Sequence, residues 1–177
     1  MTTATADWRE QIFDTLKAHD IRQVYYVPDA GHATLIEACQ NANSMRAIVL
    51  TTEEEAMAGT LGAWLGGEKS VTLMQSSGVG NCINMLGLAK TLRYPMLMLI
   101  TMRGDFGEMN PWQNSMGQAT PKVLEATGCI VFSVERPEDV QPTVNAAANM
   151  AFEGNQAVAV LLRQKLIGAK SFGKKMR

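Results

Sequence analysis

The chain has few cysteines and histidines, the residues that form disulfides or bind zinc in small proteins. Of its 177 residues, three are cysteine and two are histidine. Cys39, Cys82 and Cys129 lie far apart and form no Cys-x-x-Cys pair, which argues against a disulfide framework and against a zinc site. The chain offers no arrangement typical of a Ser-His-Asp or Cys-His hydrolase. Three unpaired thiols fit a reducing compartment, so we expect a cytoplasmic protein.

The chain also lacks an excess of positive charge and any long apolar run. Lys plus Arg number 16 and Asp plus Glu number 17, for a formal net charge of -1. This balance argues against a protein that binds nucleic acid by neutralising phosphates. No apolar stretch reaches the roughly 20 residues of a membrane helix, and residues 1–7 contain no apolar signal-peptide region. We therefore expect neither nucleic-acid nor membrane partners.

The overall composition is that of an ordinary globular protein. Hydrophobic residues make up 46% of the chain and charged residues 19%, and the length fits one domain over residues 1–177. Within it, residues 169–177 are basic and are expected to be a mobile tail.

Short apolar segments alternate with amphipathic ones along the chain. Alternation of this kind, with strands apolar on both faces, is typical of a parallel sheet covered by helices on both sides. The predicted fold is α/β with six parallel strands at 24–27, 47–50, 71–74, 96–100, 130–134 and 157–162. The predicted helices are 7–19, 33–40, 52–65, 81–92, 121–127 and 137–153.

In an open α/β sheet, ligands bind beyond the carboxyl ends of the strands. The segment Gln75-Ser76-Ser77-Gly78-Val79-Gly80-Asn81 follows a predicted strand and leads into a helix. Its glycines allow backbone to approach a ligand, yet the segment matches neither the dinucleotide-binding nor the P-loop pattern. A tight strand-to-helix turn with no ligand is an equally good interpretation of this segment.

Three acidic residues, Glu53, Glu54 and Glu55, open the predicted helix 52–65. Thr52 and Glu55 have the spacing of a capping box, and acids near a helix start complement its dipole. A chemical role requires one carboxylate to face an apolar site, where it could exchange protons near neutral pH. Both interpretations remain open on the residues alone.

A long polar segment, 103–120, is predicted to be a loop, and loops of that length often bind ligands. Arg103 comes directly after a strand and could hold an anionic group through two hydrogen bonds. His32, in the loop after the first strand, is a further candidate ligand. For both residues the alternative is an ordinary polar position.

Taken in order, these loops resemble the pyrimidine-binding domain of thiamine-diphosphate-dependent 2-oxoacid decarboxylases. The resemblance spans roughly residues 10 to 165 and extends to the α subunit of sulfopyruvate decarboxylase and the matching half of phosphonopyruvate decarboxylase. It rests on Val27-Pro28-Asp29, on Glu53 with Ala56 and Gly62, on the segment 74–81, on 102–108 and on Pro111-Trp112-Gln113.

The resemblance implies site residues. It places Glu53, nine residues before Gly62, where the family has a glutamate that hydrogen-bonds N1′ of the cofactor's aminopyrimidine and promotes removal of the thiazolium C2 proton. It makes Asp29, His32, Arg103 and Gln113 candidates for substrate binding, with Arg103 facing a sulfonate or phosphonate. The implied cofactor-binding residues are Glu53, Pro28, Gln75, Ser77, Gly78 and Asn81.

The resemblance also implies a partner. The family's diphosphate-binding element, Gly-Asp-Gly with a later Asn that together hold Mg²⁺, has no match here: Gly104-Asp105-Phe106-Gly107 is interrupted by Phe106. No metal site is therefore expected in this chain, and a β subunit is expected to hold Mg²⁺ and the diphosphate. The implied function is the α subunit of a hetero-oligomeric decarboxylase acting on sulfopyruvate or phosphonopyruvate.

Three alternatives stay open at this point. The chain could be a non-catalytic regulatory or scaffolding relative of the pyrimidine domain, a subunit of a carboligase, or a free-standing nucleotide-binding α/β protein. Some related decarboxylases carry a catalytic acid where Ala30 and Gly31 stand here. The acid–base groups beyond Glu53 are therefore left unassigned.

Overall fold

The computed structural model describes residues 7–168, and the predicted basic tail 169–177 lies outside this part. Six strands form one sheet in the order β2-β1-β3-β4-β6-β5, and every neighbouring pair is parallel. The predicted fold class is thereby confirmed. The strands are β1 Ile21–Tyr26, β2 Arg46–Val49, β3 Lys69–Gln75, β4 Met96–Thr101, β5 Ile130–Val134 and β6 Ala157–Leu162.

Helices cover both faces of the sheet. One face carries α1, α2 and α7, and the other carries α3, α4, α5 and α6. The helices are α1 Trp8–Ala18, α2 Ala33–Gln40, α3 Glu54–Leu65, α4 Ser76–Cys82, α5 Gly87–Leu92, α6 Asn114–Ala126, α7 Pro137–Gly154 and α8 Gln164–Ile167, with a 3-10 turn at Pro111–Gln113. Among residues 7–168, no helix has the length and apolarity to cross a membrane.

The central strand β4 shows why these residues form this sheet. All six of its residues are buried. Leu97 and Leu99 pack in the core under α1, α2 and α7, whereas Met96, Met98 and Ile100 pack in the core on the opposite face. Because side chains alternate between the faces of a strand, a continuous apolar run suits a strand that is covered on both sides.

Three predictions are wrong in detail. The segment 76–80, predicted as a glycine loop before a helix at 81, forms the first turns of α4, and the helix is interrupted before α5 begins at Gly87. The loop predicted at 103–120 ends early, because α6 begins at Asn114. Pro121, predicted as a helix start, lies inside α6, where it removes one backbone donor from the helix.

Candidate functional site

The site lies at the carboxyl ends of the first three strands. From β1 the chain runs outward to the edge strand β2, whereas from β3 it runs the other way to β4. Neighbouring strands whose connections leave in opposite directions open a crevice between their ends, and ligands of α/β proteins bind there. Pro28 and Asp29 follow β1, Glu53 follows β2, and α4 follows β3.

Glu53 lies directly against the start of α4. Its Oε2 accepts a hydrogen bond of 2.8 Å from Asn81 Nδ2. A Cβ atom at Gly78 would overlap the Glu53 carboxyl group, so only glycine at this position lets the acid approach the helix backbone so closely. The structure therefore brings together three of the sequence-predicted residues, Glu53, Gly78 and Asn81.

An open pocket of about 530 Å³ surrounds this carboxylate. One wall is the small-residue face of α4, and the other comes from the 3-10 turn and the start of α6. An acceptor beside apolar side chains suits a flat heteroaromatic ring with a nitrogen to hydrogen-bond. The lining residues are Glu53, Ser77, Gly78, Gly80, Asn81, Trp112, Ser115 and Met116.

Sequence reasoning missed part of this lining. Ser115 and Met116 were assigned to a loop and carried no signal of their own. Trp112 is 83% exposed in the structure. Trp112 belongs to the Pro111-Trp112-Gln113 motif of the resemblance, but no role was assigned to it from the sequence.

The other two acids of the triplet are placed differently from Glu53. Glu55 Oε2 accepts from the backbone N–H of Thr51 at 2.8 Å, so it satisfies a donor ahead of α3. The expected capping partner was Thr52, and the actual one is its neighbour. Glu54 is exposed. The acids thus divide into one that faces the pocket and two at the helix start.

Asp29 is the centre of a second hydrogen-bonded group. Its Oδ1 accepts from Gln75 Nε2 at 2.9 Å, and Gln75 Oε1 in turn accepts from Ser77 Oγ at 2.9 Å. Its Oδ2 accepts from Thr101 Oγ1 at 2.6 Å and from the backbone N–H of Gly31 at 3.0 Å. Burial is the largest single effect and raises the pKa of Asp29, but the hydrogen bonds from Thr101, Gln75 and Gly31 together with the neighbouring His32 outweigh it. The net pKa is lowered, and the group is a carboxylate.

His32 does not reach the pocket. It is 2% exposed, and its Nε2 lies 3.0 Å from the backbone oxygen of Leu99. Burial is the main cause of its lowered pKa, so the ring is neutral at pH 7. The expectation that His32 contacts substrate is corrected by this placement: the side chain turns into the core beneath its loop.

Two further predicted residues stand apart from the Glu53 pocket. Pro28 is exposed and lines a groove between the end of β1 and α2. Gln113 lies in the 3-10 turn, and its buried Oε1 has no hydrogen-bond partner within residues 7–168. Such an orphaned acceptor is costly unless a ligand or water satisfies it.

Arg103 already has an anionic partner in this chain. Its Nε and Nη2 donate to the two carboxylate oxygens of Glu108 at 2.5 and 2.7 Å. The side chains are only 10% and 2% exposed. The hydrogen bonds from Arg103 are the main cause that lowers the pKa of Glu108 to about 2. Two of the donors expected to meet a substrate anion are thus occupied by the neighbouring acid.

A residue that the sequence did not single out completes this cluster. Gln164, fully buried after β6, accepts from the backbone N–H groups of Asp105 and Phe106 at 3.1 and 3.0 Å. Its Nε2 donates to Glu108 Oε2 at 2.8 Å. Gln164 lies 56 residues from Glu108 in the chain, and no local sequence pattern predicts such a contact.

The part of the chain that the structure describes contains no evident metal site. No group of three or more His, Cys, Asp or Glu side chains is clustered there as a metal would require. The three cysteines are free and buried, and burial raises the pKa of Cys39 and Cys82 to about 12.

Comparisons with known proteins give one family match and several related enzymes. Residues 6–120 match the family described as thiamine pyrophosphate enzyme, N-terminal TPP binding domain. The α subunit of sulfopyruvate decarboxylase from Methanococcus maripaludis is 34% identical over 154 residues, which cover 86% of this chain and 92% of that protein. Phosphonopyruvate decarboxylase from Streptomyces viridochromogenes is 36% identical over 101 residues, covering 56% of this chain and 25% of that protein.

A solved structure shares the fold. The 2-oxoglutarate:ferredoxin oxidoreductase from Magnetococcus marinus superposes with a TM-score of 0.74 at 19% identity. The matched region covers 91% of this chain and 29% of that chain.

Proposed function

The chain belongs to the thiamine pyrophosphate enzyme family through its match to the N-terminal TPP binding domain, and on this premise we propose that it is the α subunit of a two-subunit decarboxylase. The cofactor is thiamine pyrophosphate, also called thiamine diphosphate. The substrate is a C3 2-oxoacid with an anionic head group, sulfopyruvate or phosphonopyruvate, which yields the corresponding aldehyde and CO₂. The names of the relatives support this substrate class.

The observation that carries the proposal is the position of Glu53. Its half-buried carboxylate lies beside a glycine and receives one hydrogen bond from Asn81. A carboxylate so placed can accept a proton or a hydrogen bond from a ring nitrogen of a ligand that enters the pocket. Glu53 is therefore the catalytic residue of the proposal.

The remaining side chains bind and orient. The proposed cofactor-binding residues are Gln75, Ser77, Gly78 and Asn81, together with Pro28, which lies outside the Glu53 pocket. Thiamine pyrophosphate, when bound, supplies the electron sink that allows CO₂ to leave. Asp29, Arg103 and Gln113 are the proposed substrate contacts, whereas His32 is omitted because its ring bonds to the backbone oxygen of Leu99 in the core.

A β subunit is part of the proposal. The described residues hold no metal cluster, and the relatives that match almost end to end are named as α subunits. The β subunit would hold Mg²⁺ and the diphosphate group, in a hetero-oligomer with paired α and β chains. Buried free cysteines support a cytoplasmic location.

The test is CO₂ release by the reconstituted pair. We expect activity only when this chain, a β chain, thiamine pyrophosphate and Mg²⁺ are all present. Glu53→Gln should lower the turnover number about 10²–10⁴-fold, the usual contribution of a positioned acid or base. The rate of exchange of the cofactor C2 proton, followed by NMR, should fall in parallel.

Glu54→Gln is the matched control, because it removes the neighbouring exposed charge and should leave turnover close to that of the wild type. Cofactor binding without CO₂ release from either substrate would favour the regulatory or carboligase alternatives. Wild-type C2 proton exchange in Glu53→Gln would reject the assignment of Glu53.

A further inference from the structure

We propose that Glu108 is a positioning residue that holds both walls of the Glu53 pocket at a set separation. The proposal rests on the proposed function for the identity of the ligand, and on the contacts of Glu108 for the geometry. Glu108 touches neither the pocket nor Glu53. It acts through two arms, one to the 3-10 turn and one to α4.

Glu108 is an unusual loop residue. Its side chain is 2% exposed although the loop around it faces solvent. It receives hydrogen bonds from Arg103, from the backbone N–H of Asn110 at 2.9 Å and from Gln164 Nε2 at 2.8 Å. A buried carboxylate with this many donors is held in one place, because each broken bond would leave a buried polar group unpaired.

The first arm runs to the wall that carries Trp112. Asn110, whose N–H is bound by Glu108, accepts from the backbone N–H of Trp112 at 3.2 Å through its own side chain. Asn110 thereby caps the 3-10 turn Pro111–Gln113. The indole of Trp112 is 83% exposed, so packing of its own side chain does not fix this turn. The polar arm from Glu108 reaches the turn through Asn110.

The second arm runs to the wall formed by α4. The backbone N–H of Arg103 donates to Ser76 Oγ at 3.1 Å, and Ser76 is the first residue of α4. Thr120 Oγ1 also donates to the backbone oxygen of Ser76, at 3.3 Å. Gly78, against which Glu53 rests, follows two residues later. Arg103 is thus bound to Glu108 by its side chain and to α4 by its backbone.

Gln164 anchors the whole arrangement to the sheet. It directly follows Arg163 at the end of β6, and its side-chain oxygen accepts from two consecutive loop N–H groups, of Asp105 and Phe106. The backbone N–H of Gln164 also donates to Asp105 Oδ1 at 3.3 Å. The loop is therefore built on a rigid element, as a precise binding site requires.

The decisive variant is Glu108→Gln in the complex with the β chain. Because misplacement of a wall by a fraction of an ångström weakens ligand contacts, we expect the Kd for thiamine pyrophosphate to rise about tenfold. In the full chain without cofactor, acrylamide should quench Trp112 fluorescence differently in this variant. The Trp112 signal is obtained by subtracting that of Trp112→Phe.

Two further variants separate positioning from stability. Glu138→Gln removes an exposed acid that also pairs with an arginine, Arg136, and should change neither readout. The double variant Arg103→Met, Glu108→Leu removes both buried charges, which restores stability in many proteins. We expect its melting temperature to return towards that of the wild type while the Kd stays raised.

The outcomes are distinct. A wild-type Kd and wild-type Trp112 quenching in Glu108→Gln overturn the proposal. If that variant does not fold, a wild-type Kd in the double variant overturns it equally. If the wild-type complex itself fails to bind thiamine pyrophosphate, the proposed function fails, and the quenching of Trp112 still decides whether Glu108 positions the wall.

Discussion

Two regions at the same edge of the sheet have opposite characters. The Glu53 pocket, at the ends of β1, β2 and β3, is open, and within residues 7–168 its central carboxylate accepts one side-chain hydrogen bond, from Asn81. The Glu108 cluster, at the ends of β4 and β6, consists of side chains that bond to one another. The cluster consists of Arg103, Asp105, Glu108, Arg163 and Gln164, with ion pairs Arg103–Glu108 and Arg163–Asp105 at 2.5 and 2.7 Å.

The difference shows what a crevice between strand ends needs in order to bind a ligand. Both regions have acids, amides and backbone donors within reach. In the Glu108 cluster these groups satisfy one another, so a ligand would have to replace good internal bonds. In the Glu53 pocket a glycine and an exposed aromatic residue leave room beside an acceptor. Polar residues lie at the strand ends in both regions, and the open space beside Glu53 distinguishes the candidate site.

The strongest test of this contrast is acid unfolding. The pKa of Glu108 is about 2 in the folded chain, against an ordinary value of 4.5. A lowered pKa stabilises the fold fully above pH 4.5, and this stabilisation is lost as the pH falls towards 2. At 1.36 kcal/mol per pKa unit, the complete loss is on the order of 3 kcal/mol. Urea unfolding at a series of pH values between 6 and 3 measures the part of this loss that occurs above pH 3.

Glu108→Gln provides the comparison for this titration. The variant is less stable at pH 6, and its stability should fall less steeply between pH 5 and 3, so that the two curves converge in acid. Parallel curves for wild type and variant would mean that the cluster does not hold Glu108 as a buried carboxylate.

A pair of glycines makes a second, somewhat smaller test. A Cβ at Gly117 would overlap the backbone oxygen of Arg103, which cannot move without disturbing the cluster. A Cβ at Gly78 would instead overlap the side chain of Glu53, which can swing away. We expect Gly117→Ala to lower the free energy of unfolding by about 2 kcal/mol, because overpacking costs that much where nothing yields.

Gly78→Ala should lose less than about 1 kcal/mol of stability, yet weaken cofactor binding by displacing Glu53. Gly62→Ala is the control for alanine in a helix, since no atom lies near its added Cβ. It should be neutral or slightly stabilising. Equal stability losses in Gly117→Ala and Gly78→Ala would contradict the proposed difference between the Glu108 cluster and the Glu53 pocket.

The sequence predicts the strands of the sheet better than it predicts the side-chain contacts at the strand ends. The six strands were predicted because buried parallel strands are continuous apolar runs, and this local signal does not depend on the tertiary fold. The start of α4 was missed because two serines and two glycines in 76–80 favour a turn. Contacts with Glu53 and with α6 hold this segment in a helix nonetheless.

The candidate site divides in the same way. Glu53, Gly78 and Asn81 meet because they follow β2 and β3, the two strands on either side of β1. The pairing of Arg103 with Glu108 was missed, since a charged residue in a polar loop has no local sign of its partner. The burial of His32 likewise depends on how the turn after β1 folds back onto β4.

The smallest expected stability effect belongs to Asn81, and it is informative for that reason. The hydrogen bond from Asn81 to Glu53 is exposed, so Asn81→Ala should change the free energy of unfolding by less than about 0.5 kcal/mol. It should nevertheless lower turnover in the reconstituted pair, because Glu53 loses the side-chain donor that orients it. Asn84→Ala, an exposed asparagine three residues later, is the matched control and should leave turnover unchanged. A large stability loss in Asn81→Ala would show that the Glu53 pocket is held together as the Glu108 cluster is. Unchanged turnover would show that Glu53 is oriented by its contact with Gly78 alone.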